Sequence, residues 1–356
     1  MGRTLVYQAL MGTYQRLLGS EGPDGAFSLA RDLESARKLV FVPERGLASL
    51  ILSRSFIRGM RKRYPSASVA VVTPGEYSSV IEGDYWTNRL FFYDNRSRNP
   101  FSRSLRDLVD QLRAESFDIA IDLSYRHNLE TYLPVTLSGA SITLGFYDPA
   151  KVFKYSISVR SEKENKPFLH RMWSLFSILD IHPGDNIYHL PGEEARVNTV
   201  WKTIGLSVQP ERDQLLGVFL DDSREGVISN HDTLTNLLKN LNTLPSKKIL
   251  LAQNRISSSV WEDLPTYDVI VLPRETIAKI ASIMKECHCV LTNNIGFALL
   301  MASIGGNVVA IVREEEVRRL SLNRIKGISP FVVKGKELPV GSLGEYLRSV
   351  MRPVSG

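Results

Sequence analysis

Cysteine is nearly missing from this chain. Its 356 residues contain two, Cys287 and Cys289, too few for the disulfide framework of a small secreted domain. They flank His288 at what reads as the start of a strand, where both side chains would face one way. A Cys-His-Cys metal site is one reading, but no second ligand cluster stands elsewhere, so buried reduced thiols are expected and no metal. Long apolar runs are lacking too. None approaches the roughly 20 residues that span a bilayer, and the N-terminus has no compact apolar core of the secretory kind. The expectation is a cytoplasmic protein whose membrane contact, if any, is peripheral and at the inner face. Neither a dinucleotide glycine fingerprint nor a Walker A loop follows a first strand, and there is no internal repeat or low-complexity tract.

With 43% hydrophobic and 23% charged residues, the composition is that of a globular protein and excludes the disordered and fibrous classes. The formal charge of +6 is compatible with nucleotide phosphates, an anionic membrane face or nucleic acid. The basic stretch Arg54 to Arg63 has a single aromatic, Phe56, and no recognised motif, so nucleic acid is not expected as a partner. Cations there complement the dipole at the end of a helix.

Along the chain, strand-like and helix-like segments alternate. Strands are predicted at Lys38 to Val42, Ser68 to Val72, Arg89 to Phe92, Phe117 to Asp122 and Ser141 to Leu144. Helices are predicted at Leu47 to Arg63, Pro100 to Glu115, Asn128 to Leu137 and Lys166 to Leu179. After a helical segment at Glu193 to Ile204 the rhythm resumes. Its strands are Leu215 to Leu220, Lys248 to Ala252, Val269 to Leu272, His288 to Thr292 and Asn307 to Val312, and its helices are Thr233 to Leu241, Thr276 to Lys285 and one from Ile295. Such alternation implies parallel sheets with right-handed crossovers. The expected organisation is two doubly wound Rossmann-like α/β domains, 38–186 and 214–340, joined by a linker at 187–213. A helical extension (1–37), with apolar spacing over Thr4 to Leu18, precedes them, and a C-terminal helix (341–356) follows. Ligand would bind in a cleft faced by the carboxyl ends of both sheets.

The stretch from Val290 to Gly305 reads as strand, polar turn and helix. Its first helical amides lack intrahelical partners, and with the helix dipole they favour an anion such as phosphate. Asn293, Asn294 and Gly296 are the candidates there, glycine allowing close backbone approach.

Four local features, spread over about residues 38 to 312, together resemble glycosyltransferase family 9, the heptosyltransferase-like enzymes of GT-B fold. They are Gly59-Met60-Arg61-Lys62-Arg63-Tyr64-Pro65 closing the first long helix, Phe117-Asp118-Ile119-Ala120-Ile121-Asp122-Leu123, His170-Arg171-Met172 continuing to Ile181, and the stretch at Val290 with the helix before it. The resemblance implies transfer of a sugar with inversion from a nucleotide-diphosphate donor to an envelope glycan or a lipopolysaccharide or other lipid-linked acceptor. It implies no cofactor and no metal.

An inverting transfer needs a base for the acceptor hydroxyl and cationic or amide groups for the departing diphosphate. Counting back from Tyr64-Pro65, the family's Gly-Asp pair falls on Ala48 and Ser49, and its Asp-Ser-Gly-Pro-x-His turn falls on Asn294 to Leu299, so only the glycine is kept. Glu44, in the turn after the first strand, and Asp122, at a strand end, are the stand-in candidates for the base. Arg224 is the candidate against the diphosphate, and His127, His170 and Arg171 are candidates on the acceptor side. These departures also leave open a catalytically inactive GT-B protein that binds a sugar nucleotide, a glycan or a protein partner.

Overall fold

The computed structural model describes residues 34–82, 87–94, 102–124, 128–147, 155–160, 166–181, 215–221, 236–237, 239–241, 249–254, 269–272, 275–334 and 338–350. The expected N-terminal helix, the linker at 187–213 with its helical segment, and the start of the helix at Thr233 to Leu241 lie outside them; 236–237 and 239–241 of that last helix are helical. The chain divides into two compact units, Met1–Asp185 and Asn186–Gly356.

The first unit runs β1 (Lys38–Val42), α1 (Leu47–Arg63), β2 (Ser68–Pro74), β3 (Arg89–Tyr93), α2 (Arg103–Glu115), β4 (Ile119–Asp122), α3 (Leu129–Leu137), β5 (Ile142–Phe146), β6 (Ile157–Val159) and α4 (Phe168–Phe176). All its strand pairs are parallel, in the order β3-β2-β1-β4-β5-β6. Leu39, Val40, Phe41 and Val42 are all buried because helices cover both faces of the sheet. On one face α2 places Leu105, Leu108, Val109 and Leu112 at helical spacing against Val40, Val42, Ala70 and Val72, with Tyr132 and Leu133 of α3 beside them. On the other, Phe56 of α1 stacks on Phe176 of α4 at 5.1 Å, and Phe176 lies 6.4 Å from Phe41.

Helix boundaries follow local chemistry. Ser102 accepts a hydrogen bond from the Leu105 amide, so α2 starts at Arg103 rather than at Pro100. β4 starts at Ile119 rather than at Phe117, and Asp118 just before it accepts from the main-chain amides of Arg37 and Lys38 at 2.7 and 2.8 Å. Gly46 caps α1 at φ 115°, a left-handed conformation that a Cβ would penalise.

The second unit contains β7 (Leu216–Asp221), β8 (Ile249–Asn254), β9 (Val269–Leu272), α5 (Ile277–Met284), β10 (Cys289–Thr292), α6 (Ile295–Ser303), β11 (Val308–Arg313), α7 (Glu314–Leu320), β12 (Ile328–Val333) and α8 (Val340–Val350). Its sheet, also parallel, has the order β12-β11-β10-β7-β8-β9. Leu216, Val218, Leu291, Val309 and Ile311 form a core with Leu343 and Leu347 of α8. Phe219 of β7 stacks on Phe297 of α6, ring centroids 3.9 Å apart.

Besides short helical turns such as Ser78–Ile81, the described elements β6, α7 and β12 have no counterpart in the sequence reading. β6 has three residues, too short for an alternation to register. β12 contains Pro330, which has no N–H for a ladder and is accommodated because β12 is an edge strand.

Candidate functional site

In a doubly wound sheet the crevice opens where the strand order reverses, at the carboxyl ends of the two strands involved. In the second unit these are β7 and β10. The turn after β10 is built by its own side chains. Thr292 Oγ1 accepts from the Asn294 amide at 3.0 Å, and Asn294 Oδ1 caps α6 by accepting from the Phe297 amide at 2.9 Å. Of the first donors of α6, the amides of Ile295 and Gly296 remain, with no partner among the described residues. Asn293 is nearly buried beside them, and Gly296 is buried. Phe297 and Leu299 are fully buried, so these two side chains point into the core and the first turn of α6 meets its surroundings mainly through backbone. Arg224 lies outside the described residues.

In the first unit the reversal falls between β1 and β4. α1 and α3 leave these strands on opposite faces of the sheet, and their starts flank the crevice. Glu44 sits half-buried in the turn after β1. Ser49 is the third residue of α1, after Ala48, and its carbonyl accepts from Ser53 Oγ at 2.6 Å. The first turn of this helix carries no acidic residue.

Asp122 ends β4 with no exposed surface. Its Oδ1 accepts from both the amide and the hydroxyl of Ser124, at 2.8 and 2.5 Å, and its Oδ2 accepts from the Tyr155 hydroxyl. Ser124 Oγ in turn meets Thr131 Oγ1 of α3 at 2.8 Å. A carboxylate enclosed in this way satisfies its burial through hydrogen bonds. Its geometry is that of a residue that fixes neighbouring loops, and it lacks the open approach that a base for an incoming hydroxyl requires.

Beside it lies a group that motif reading did not single out. Arg45 Nη1 donates to both carboxylate oxygens of Glu130, at 2.8 and 3.0 Å. The two side chains are 24% and 17% exposed, shielded from full solvent screening yet open at the rim. Glu130 is the second residue of α3, whose cap, Asn128, accepts from the Glu130 amide at 2.9 Å. Tyr93 at the end of β3 completes the group. Burial first, and then the charge of Glu130, push its phenol well above the ordinary value, with smaller effects from Arg45, Tyr77 and Glu76. The one signal available in the sequence was a charged residue near the start of each of two helices. That these two starts share a crevice depends on strand order.

The acceptor-side candidates separate. His170 is exposed on α4 and the next residue, Arg171, is buried, so they do not present one surface. His127 lies outside the described residues. Cys287 and Cys289 are both buried free thiols. Burial pushes the Cys289 pKa up to about 12 and that of Cys287 higher still. Among the described residues no group of three or more His, Cys, Asp or Glu side chains is arranged to hold a metal ion.

The fold of the chain can be compared with solved structures. The chain is similar to a glycosyl transferase of family 9 from Veillonella parvula, with a TM-score of 0.70 and 16% identity over 90% of this chain and 98% of that one. The fold is GT-B. Two further GT-B structures are the E. coli heptosyltransferase WaaC with ADP, at TM-score 0.64 and 12% identity over 88% and 97% of the two chains, and E. coli ADP-heptose lipopolysaccharide heptosyltransferase II, at 0.62 and 14% over 88% and 98%. No protein-family model and no curated protein matches the sequence. The chain thus shares the GT-B architecture of these proteins at low sequence identity.

Proposed function

We propose that this GT-B protein binds a nucleotide-diphosphate sugar at the start of α6 and transfers the sugar, with inversion, to an envelope glycan or a lipopolysaccharide or other lipid-linked acceptor. The observation that carries donor binding is the pair of amides at Ile295 and Gly296, left over among the described residues after Thr292 and Asn294 have satisfied their neighbours. Backbone amides at a helix start favour a diphosphate through hydrogen bonding and the helix dipole together. Asn293, Asn294 and Arg224 are assigned to the same ligand. The likeness to a heptosyltransferase determined with ADP supports that ligand class.

In the reaction, the acceptor oxygen attacks the anomeric carbon from the face opposite the diphosphate. Its proton goes to a carboxylate, the bond from carbon to the diphosphate oxygen breaks, and the nucleoside diphosphate leaves with its charge held by the amides. Glu44 is our assignment for the base, and Asp122 takes the supporting role that its enclosure suits. His127, His170 and Arg171 remain the assignment toward the acceptor. The protein would act in the cytoplasm, peripheral to the inner face of the membrane.

The test is a thermal-shift panel of ADP, UDP, GDP and CMP sugars. Binding raises the melting temperature by mass action, by about 2.7 kcal/mol of stability at a hundredfold excess over Kd. A flat response across the panel would sink donor binding. For the ligand that binds, Glu44→Gln should lower turnover by roughly two to four orders of magnitude, and an unchanged rate removes Glu44 from the role.

A second reading has a specific observation in its favour. The first turn of α1 has no carboxylate, and Phe297 and Leu299 give the donor turn an apolar interior. Both suit a GT-B protein that keeps the binding of a sugar nucleotide, a glycan or a protein partner without catalysis. It predicts a nucleotide shift with no transfer to any acceptor.

A further inference from the structure

An ion pair spans the crevice of the first unit. Arg45 reaches it from the turn after β1, and Glu130 from the second position of α3 on the other side of the reversal. This pair has features that a purely structural ion pair does not need. It sits at the ligand-binding edge of the sheet. The Glu130 side chain is 17% exposed, and Arg45 Nη1 takes one lone-pair direction on each oxygen out of the roughly four that a carboxylate offers. Two aromatic residues of the same edge, Tyr77 after β2 and Tyr93 ending β3, are half-buried. β2 pairs with β3 so that Pro74 faces Tyr93, which brings the two tyrosines to neighbouring strand ends.

Charged groups that accept and donate side by side, next to aromatic surface, suit a ring with several hydroxyls. A hydroxyl can donate to the carboxylate while its neighbour accepts from a guanidinium, and the apolar face of the ring covers an aromatic side chain. We infer that Arg45 and Glu130, with Tyr77 and Tyr93 beside them, form a subsite for a sugar ring bearing vicinal hydroxyls, and that this pair helps set acceptor specificity. The inference rests on the reading of the chain as glycosyltransferase-like and gives that reading an acceptor-side site. Arg45 and Glu130 act as binding groups here, and Glu44 keeps the assignment as base.

The Asp122 network supports the same site from behind. It ties the end of β4 through Ser124 to Thr131 of α3, one residue beyond Glu130, and so holds the start of that helix in place.

The experiment uses the full chain and saturation-transfer NMR with four sugars at millimolar concentration: mannose, galactose, N-acetylglucosamine and galacturonic acid. The wild type should show transfer to the ring protons of at least one of them. For that sugar, Arg45→Ala and Glu130→Ala should each raise Kd at least tenfold. The deciding variant is the exchanged pair, Arg45→Glu with Glu130→Arg, which can restore the ion pair and the melting temperature but reverses which side of the crevice offers the acceptor. Recovered stability with lost sugar binding supports the subsite. Sugar binding that survives the exchange, or no transfer to any of the four sugars in the wild type, overturns it. The nucleotide panel run on the same samples reports on the second unit alone, so a failed sugar site and a failed donor site give different results.

Discussion

Tyr155, just before β6, donates its hydroxyl hydrogen to Asp122 at the end of β4, although β5 lies between the two strands. The reach is possible because the ring passes over Gly145 of β5. A Cβ placed there would lie 2.3 Å from Tyr155 Cε2. An achiral residue on one strand thus lets a polar bond form between its two neighbours.

Removing the donor should expose the cost of a buried carboxylate with too few partners. Tyr155→Phe is expected to lower stability by about 1–3 kcal/mol, measured by urea unfolding. Combined with Ser124→Ala, the loss should depart from the sum of the two single changes, because both act on one carboxylate. Strict additivity would mean that the network does not act as a unit.

Filling the space over β5 tests the same contact sterically. Gly145→Ala should cost about 1–3 kcal/mol through overpacking. Adding Tyr155→Ala relieves the clash but leaves a cavity and a carboxylate short of one donor, so the double variant should lose less than the sum of the two single changes. If Gly145→Ala melts like the wild type, the close passage of the ring is not a constraint.

The buried thiols predict an alkaline limit. Cys289 titrates near 12 in the folded chain against an ordinary value of 9, and Cys287 is raised further by the same burial. A raised acid pKa means that the folded state holds its proton while the unfolded state releases it. The stabilisation is therefore complete below about pH 9 and declines as pH climbs toward 12. Melting temperature should fall over that window, less so in a Cys287→Ala/Cys289→Ala variant. A thiol reagent at pH 8 should react with neither residue until the protein is unfolded.

The cap of α6 offers a separable readout in the second unit. Asn294→Ala removes the bond to the Phe297 amide and should cost about 1 kcal/mol. Asn294→Ser, which can still cap, should recover most of it. If nucleotide binding uses this turn, Kd should follow the same order, and a Kd unmoved by the alanine would place the ligand elsewhere.

Much of the framework could be read without coordinates, because parallel strands buried on both faces leave compact apolar runs such as Leu39 to Val42 and Val290 to Thr292, and amphipathic helices such as Arg103 to Glu115 carry a clear period. Edge strands and short helices were the ones overlooked. Ile157 to Val159 is brief, and Pro330 interrupts an edge strand. The turn at Asn294 was legible because strand, turn and helix are contiguous in sequence. Arg45 and Glu130 were not, since 85 residues separate them and only the strand order makes them neighbours. The enclosure of Asp122 was hidden for a similar reason: Tyr155 lies in a segment with little pattern of its own.

Gly46 carries a consequence for how such a site changes over evolutionary time. Its φ of 115° sets the path of the chain into α1 through backbone conformation, so the half-buried residues before it, Glu44 and Arg45, can be exchanged without unmaking the turn. A lineage can therefore rewrite the chemistry at this rim one side chain at a time while the architecture persists. Recognisable structure then outlasts recognisable sequence.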